Sequence, residues 1–214
     1  NTLFKMASGT NILCNDIIIK RIRSLMCGIA GINNFTNEPV EINLLQGMMN
    51  KIVHRGPDDE GIYIDKNFGL GHVRLSIQDL SKAGHQPMFS NCKRYCIIFN
   101  GEIYNFLELK KELEGKYRFK TRTDTEVILA AYQEWGESCL NRFNGDWAFV
   151  IYDNETNEFF CARDRFGIKP FYYYKNDNQL VFASEIKAIV PLLKEVAPNN
   201  SVIYEYLVYN RTDQ

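Results

Sequence analysis

From Cys27 onward, short continuous apolar runs alternate with stretches in which apolar residues recur at helical spacing. Residues 27–32 form an apolar run bounded by glycines and are predicted as a strand. Residues 41–53 place Ile42, Leu45, Met48, Met49 and Ile52 on one face of a helix. Strands are predicted over 61–65 and 68–75, joined by the turn Lys66-Asn67. A further strand over 95–99 ends at Asn100-Gly101, a common turn pair. Helices follow over 106–113 and 125–135, separated by a short strand at 117–120. Two hairpins close the pattern, 147–152 with 158–162 and 171–174 with 180–183. A last helix is predicted to start near Ser184, with Ser184 as N-cap and Glu185 in the first turn. Many strands joined by tight turns, with helices grouped between them, predict an α+β fold of antiparallel sheets and helices in layers.

Composition narrows the function classes. The 214 residues carry a formal net charge of −1, which gives no electrostatic footprint for nucleic acid or a membrane surface. No apolar run approaches the roughly 20 residues needed to span a bilayer. The six cysteines, at positions 14, 27, 92, 96, 139 and 161, show no CxxC and no Cys/His metal spacing. That usage predicts reduced thiols in the cytoplasm, with no metal site. There is no glycine-rich phosphate loop after a strand, and no internal repeat.

Residues 1–25 differ from the rest. Their apolar patch Ile17-Ile18-Ile19 precedes the basic residues Lys20, Arg21 and Arg23, the reverse of a secretory signal. They are read as an N-terminal extension, either a pro-segment or upstream sequence read in frame, with a mitochondrial presequence as a weaker alternative. Residues 26–214 are read as one domain, and the ending at Asn210-Arg211-Thr212-Asp213-Gln214 as that of a fragment.

Candidate chemistry starts from Met26-Cys27-Gly28. A thiol attacks as thiolate and needs a base. A cysteine at a chain start carries its own, because an α-amine with a pKa of about 8 titrates near neutrality. With Met26 attached that nitrogen is a peptide amide, and a buried structural cysteine is the alternative. Attack on an amide builds an oxyanion, for which the Asn100 side chain and the Gly101 N–H are candidate donors. Arg74 offers a fork for a carboxylate, and Asp124 a counter-charge for an ammonium group. Surface ion pairing for Arg74 and helix capping for Asp124 stand as alternatives. His54-Arg55-Gly56-Pro57-Asp58 and the 163–170 segment Arg-Asp-Arg-Phe-Gly-Ile-Lys-Pro read as loops tied down by salt bridges. A dyad of Cys27 with His54, His72 or His85 stays open.

Taken together these segments resemble a known family. Met26-Cys27-Gly28-Ile29, the 54–58 and 163–170 loops, Arg74-Leu75-Ser76-Ile77, Asn100-Gly101-Glu102-Ile103-Tyr104-Asn105, Thr123-Asp124-Thr125-Glu126 and Ala183-Ser184-Glu185-Ile186-Lys187-Ala188 occur in the order found in glutamine amidotransferases with an N-terminal cysteine. Within these they are most similar to the asparagine synthetase type. The resemblance implies an N-terminal-nucleophile fold, a four-layer αββα sandwich of two antiparallel sheets. It implies that Cys27 attacks glutamine, and that Asn100 and Gly101 hold the oxyanion. Arg74 then binds the substrate carboxylate, Glu102 and Asp124 bind its amino group, and Leu75 and Ile77 belong to the same binding set. It implies no cofactor within this domain. ATP and Mg²⁺ would serve a C-terminal synthetase domain, absent from this sequence, that receives the ammonia and amidates aspartate. Homodimerisation, a different ammonia acceptor, and a silent module with a blocked amine stay open.

Overall fold

The computed structural model describes residues 26–77, 79–193 and 195–210, together with the backbone of a two-strand ladder, β1 (Phe4–Lys5) with β2 (Asn11–Ile12). The expectations placed on the rest of residues 1–25 and on 211–214 lie outside the described residues.

Two antiparallel sheets carry the fold. One has five strands in the order β10 (Tyr172–Lys175), β11 (Gln179–Ala183), β3 (Gly28–Asn34), β5 (Phe68–Arg74) and β4 (Asp59–Asp65). The other has four, β6 (Met88–Phe89), β7 (Tyr95–Ile103), β8 (Gly145–Asp153) and β9 (Glu158–Arg163). Strand alternation sends each sheet's side chains to two buried faces. On β7, Cys96 and Ile98 join Ile29, Leu70, Val150 and Phe182 in a core between the sheets. Ile97 and Phe99, one residue out of step, join the core under α2 (Phe106–Leu113) and α3 (Asp124–Trp135). On β3, Ala30 and Ile32 face the opposite way, under α1 (Ile42–Ile52) and α4 (Ile186–Ile189). Three cores between four layers give the αββα sandwich expected from the sequence.

Several elements differ from expectation for identifiable reasons. Asn100-Gly101 is not a turn: β7 runs on through both residues to Ile103, paired with β8 throughout. No strand forms over 117–120, because the Lys120 and Thr121 N–H groups are taken by the Glu126 carboxylate at 2.9 and 2.6 Å rather than by a ladder. Ser184 does not cap a helix. Its Oγ accepts the Ile29 N–H at 3.0 Å, and α4 begins two residues later. A helix absent from the sequence reading, α5 (Asn200–Tyr209), is capped by Asn199, whose Oδ1 accepts the Ser201 and Val202 N–H groups. An asparagine before an apolar run was the available signal. Ile42, assigned to the buried face of α1, is exposed.

Candidate active site

β3 and β5 lie side by side, and Cys27 immediately precedes β3 at the sheet's end. The Cys27 thiol is fixed there by the backbone of Leu75. Its Sγ accepts the Leu75 N–H at 3.3 Å and donates to the Leu75 carbonyl at 3.5 Å. Burial raises the thiol's pKa, against the lowering effects of the Leu75 N–H and the Arg74 charge. The group therefore rests as a neutral thiol and needs a base to react. Histidine does not supply one. The His54 ring bonds Glu185, the His85 ring bonds Asp59, and His72 Nε2 donates to the Phe99 carbonyl at 3.0 Å. Burial lowers the His72 pKa to about 3, so this ring is neutral.

A cleft opens over the thiol. All eight residues picked out from the sequence line it: Cys27, Arg74, Leu75, Ile77, Asn100, Gly101, Glu102 and Asp124. One wall is the edge of β7. β6 is only two residues long, so beyond Ile97 the β7 edge facing away from β8 has no partner strand among the described residues. Its odd-numbered N–H groups turn instead to side chains. Phe99 N–H donates to Gln86 Oε1 at 2.7 Å, and Ile103 N–H to Asp124 Oδ2 at 3.0 Å. The period of two places the Gly101 N–H between them, on the same open edge. Next to it, Asn100 is 1% exposed and its Nδ2 has no hydrogen-bond partner among the described residues. Buried amide donors are rarely left so. Gly101 also permits close approach of the sheet, since a Cβ there would stand 2.2 Å from the Asp146 carbonyl oxygen.

The charged groups are placed by the segments around them. Arg74, at the end of β5, is buried, and its guanidinium donates to the carbonyls of Ser81, at 2.8 Å, and of Asp79. Gly84 makes room for it, since a Cβ there would meet Nη2 at 2.1 Å. Asp124 is the first residue of α3, not its cap. Thr123 is the cap, its Oγ1 accepting the Glu126 N–H at 3.3 Å. Burial pushes the Asp124 carboxyl up to about 6, against the Ile103 N–H that favours its charged form. A buried carboxylate with a raised pKa, in a cleft that an arginine also lines, is a pattern of functional sites.

Of the two charged loops, 163–170 is held by main-chain hydrogen bonds where salt bridges were expected. In 163–170, Asp164 accepts the N–H groups of Phe166, Ile168 and Lys169, and Arg163 donates to the carbonyls of Gly167 and Lys169. This carries Lys169 to the cleft, its Nζ 3.6 Å from Met26 Sδ. The 54–58 loop does carry ion pairs, from His54 and Arg55 to Glu185. Gln86, which braces β7 beside Asn100, was not singled out from the sequence, where nothing marks it. Among the described residues no group of three or more His, Cys, Asp and Glu could hold a metal, and no helix is long and apolar enough to cross a membrane.

Comparison with known proteins agrees with this geometry. A family described as "Glutamine amidotransferase domain" matches residues 26–214. A Methanocaldococcus jannaschii protein provisionally named asparagine synthetase (glutamine-hydrolyzing) 2 is 47% identical over 198 residues, spanning 83% of this chain and 37% of that protein. Asparagine synthetase (glutamine-hydrolyzing) 1 of Bacillus subtilis is 40% identical over 190 residues, spanning 86% of this chain and 30% of its own length. The chain thus spans about a third of these relatives. Among solved structures, the glutamine phosphoribosylpyrophosphate amidotransferase of B. subtilis superposes with a TM-score of 0.66 at 22% identity, over 80% of this chain and 46% of that one. That likeness concerns the fold alone. The chain belongs to the glutamine amidotransferase domain family, in its N-terminal-nucleophile form.

Proposed function

We propose that this domain, when Cys27 is its first residue, hydrolyses glutamine to glutamate and ammonia. The observation that carries the reading is the buried Asn100 Nδ2, without a partner among the described residues, in the same cleft as the Cys27 thiol. The α-amine of Cys27 takes the thiol proton as Sγ attacks the side-chain carbonyl carbon of glutamine. The oxyanion meets Asn100 Nδ2 and the Gly101 N–H. The C–N bond breaks, the amine's proton passes to the departing nitrogen, and ammonia leaves a glutamyl thioester on Cys27. Water, deprotonated by the same amine, adds to the thioester. The C–S bond breaks, releasing glutamate and restoring the thiol. Arg74 pairs with the substrate carboxylate, Asp124 and Glu102 face its ammonium group, and Leu75 and Ile77 flank the bound chain.

The ammonia acceptor is, in this reading, aspartate, amidated by a C-terminal synthetase domain outside this sequence that uses ATP and Mg²⁺. The names of the relatives and the one-third span support that choice. The hydrolytic half uses only groups of this domain and water. Cytoplasmic action belongs to the same reading, supported by described cysteines that form no disulfide. Homodimerisation is read directly by sedimentation. Glutamate release from L-glutamine by protein with a Cys27 N-terminus, abolished in Cys27→Ala, tests the proposal; undiminished release from the variant contradicts it.

A further inference from the structure

The segment Ala183-Ser184-Glu185 lies outside the substrate cleft, yet it reaches the main chain of Cys27. The β11–β3 ladder ends with Ala183 opposite Ala30. Ser184 extends it: its N–H donates to the Ile29 carbonyl at 2.9 Å, and its Oγ accepts the Ile29 N–H at 3.0 Å. One residue on, Glu185 Oε1 accepts from Arg55 Nη1 at 3.1 Å, and Arg55 Nε donates to the Cys27 carbonyl at 3.0 Å. The Arg55 carbonyl also accepts the Met26 N–H at 3.1 Å. Arg55 therefore grips the main chain on both sides of Cys27.

The grip matters most when Cys27 is a chain end. The Met26 tether is then gone and β3 begins only at Gly28, so the bond from Arg55 Nε is what holds the Cys27 carbonyl. Rotation about Cys27 Cα–C swings thiol and amine together relative to Asn100 and Gly101. Arginine is long and rich in rotamers, and its fork needs a fixed anchor to act as one. Glu185 is that anchor. Its Oε1 is shared by Arg55 and the His54 ring, the latter at 2.9 Å, and its Oε2 pairs with Lys187 at 2.8 Å. Burial opposes its charge, but the bonds from Lys187 and Arg55 outweigh it and hold the carboxyl below its ordinary range. Neither Arg55 nor Glu185 lines the cleft.

We propose that Glu185 is a positioning residue for the glutaminase, fixing Arg55 and through it the orientation of the Cys27 thiol and amine. The proposal rests on the glutaminase reading above. In protein with a Cys27 N-terminus, Glu185→Ala should lower kcat about 10- to 100-fold per folded molecule, with KM for glutamine within about twofold. Glu185→Gln, which keeps an acceptor for Arg55, should recover part of the loss. Arg55→Ala combined with Glu185→Ala should be no worse than Arg55→Ala alone, because the two act in one chain. The rate of Cys27 alkylation by iodoacetamide, read by peptide mass spectrometry with exposed Cys161 as internal reference, should fall by about threefold or more in Glu185→Ala. A Glu185→Ala kcat within about twofold of wild type, additive losses in the double variant, or unchanged Cys27 alkylation each overturns the proposal. If the unmutated protein releases no glutamate, the glutaminase reading falls, while the alkylation comparison still decides the role of Glu185.

Discussion

Asp124 Oδ2 accepts the Ile103 N–H at 3.0 Å, so the first residue of α3 closes the open edge of β7 just beyond Asn100 and Gly101. A single carboxylate thereby joins the wall assigned to the oxyanion to the charge assigned to the substrate's ammonium group.

That carboxylate carries a stability cost. In the folded chain burial lifts its pKa to about 6 from 3.8, so folding favours the protonated form. The contribution is fully present below the unfolded value and is lost as pH rises through the folded one, a difference of about 3 kcal/mol at 1.36 kcal/mol per unit. Asp124→Asn, which keeps an acceptor for Ile103, should therefore melt above wild type at about pH 8, with the gap closing towards about pH 4. Its KM for glutamine should rise steeply. Thermal melts across pH beside glutaminase kinetics check both halves; a variant less stable at every pH contradicts the account.

Asn100→Ala removes a donor that has no partner among the described residues. The expected loss is about 10²- to 10³-fold in kcat, with KM little changed. Steady-state kinetics decide this, and a loss confined to KM would move Asn100 from oxyanion binding to substrate binding.

Gly101→Ala drives a methyl group against the Asp146 carbonyl oxygen, which is backbone and cannot turn aside. The strands must part, at a cost of about 1–3 kcal/mol. Denaturant unfolding should show that cost, together with a fall in glutaminase activity, because the N–H assigned to the oxyanion moves with the strand.

Gln86→Ala leaves the Phe99 N–H buried without its acceptor and frees Thr125 Oγ1, now held at 3.3 Å. An orphaned buried donor costs about 1–3 kcal/mol. The melting temperature should drop by several degrees; an unchanged value would mean that another group takes over the N–H.

The layered architecture and the residues of the cleft were legible because they leave local marks. Continuous apolar runs such as 95–99 marked strands, α1 followed from apolar spacing, and the ordered motifs marked eight of the residues that line the cleft. What was not legible depended on distant partners. Asn100-Gly101 read as a turn, because nothing nearby announces that β8 pairs it on one side while β6 stops short on the other. Ser184 has the composition of a cap, but a strand 155 residues away in sequence takes its hydroxyl. Gln86 carries no motif, and its role appears only when α3 and β7 meet around it.

In the proposed mechanism the chemistry at this cleft depends on a free amine at Cys27. The most direct test compares two forms of the protein, one beginning at Cys27 and one retaining Met26, for glutamate released from L-glutamine at equal folded concentration. The account predicts release from the first and none above background from the second. Equal release from both would contradict it.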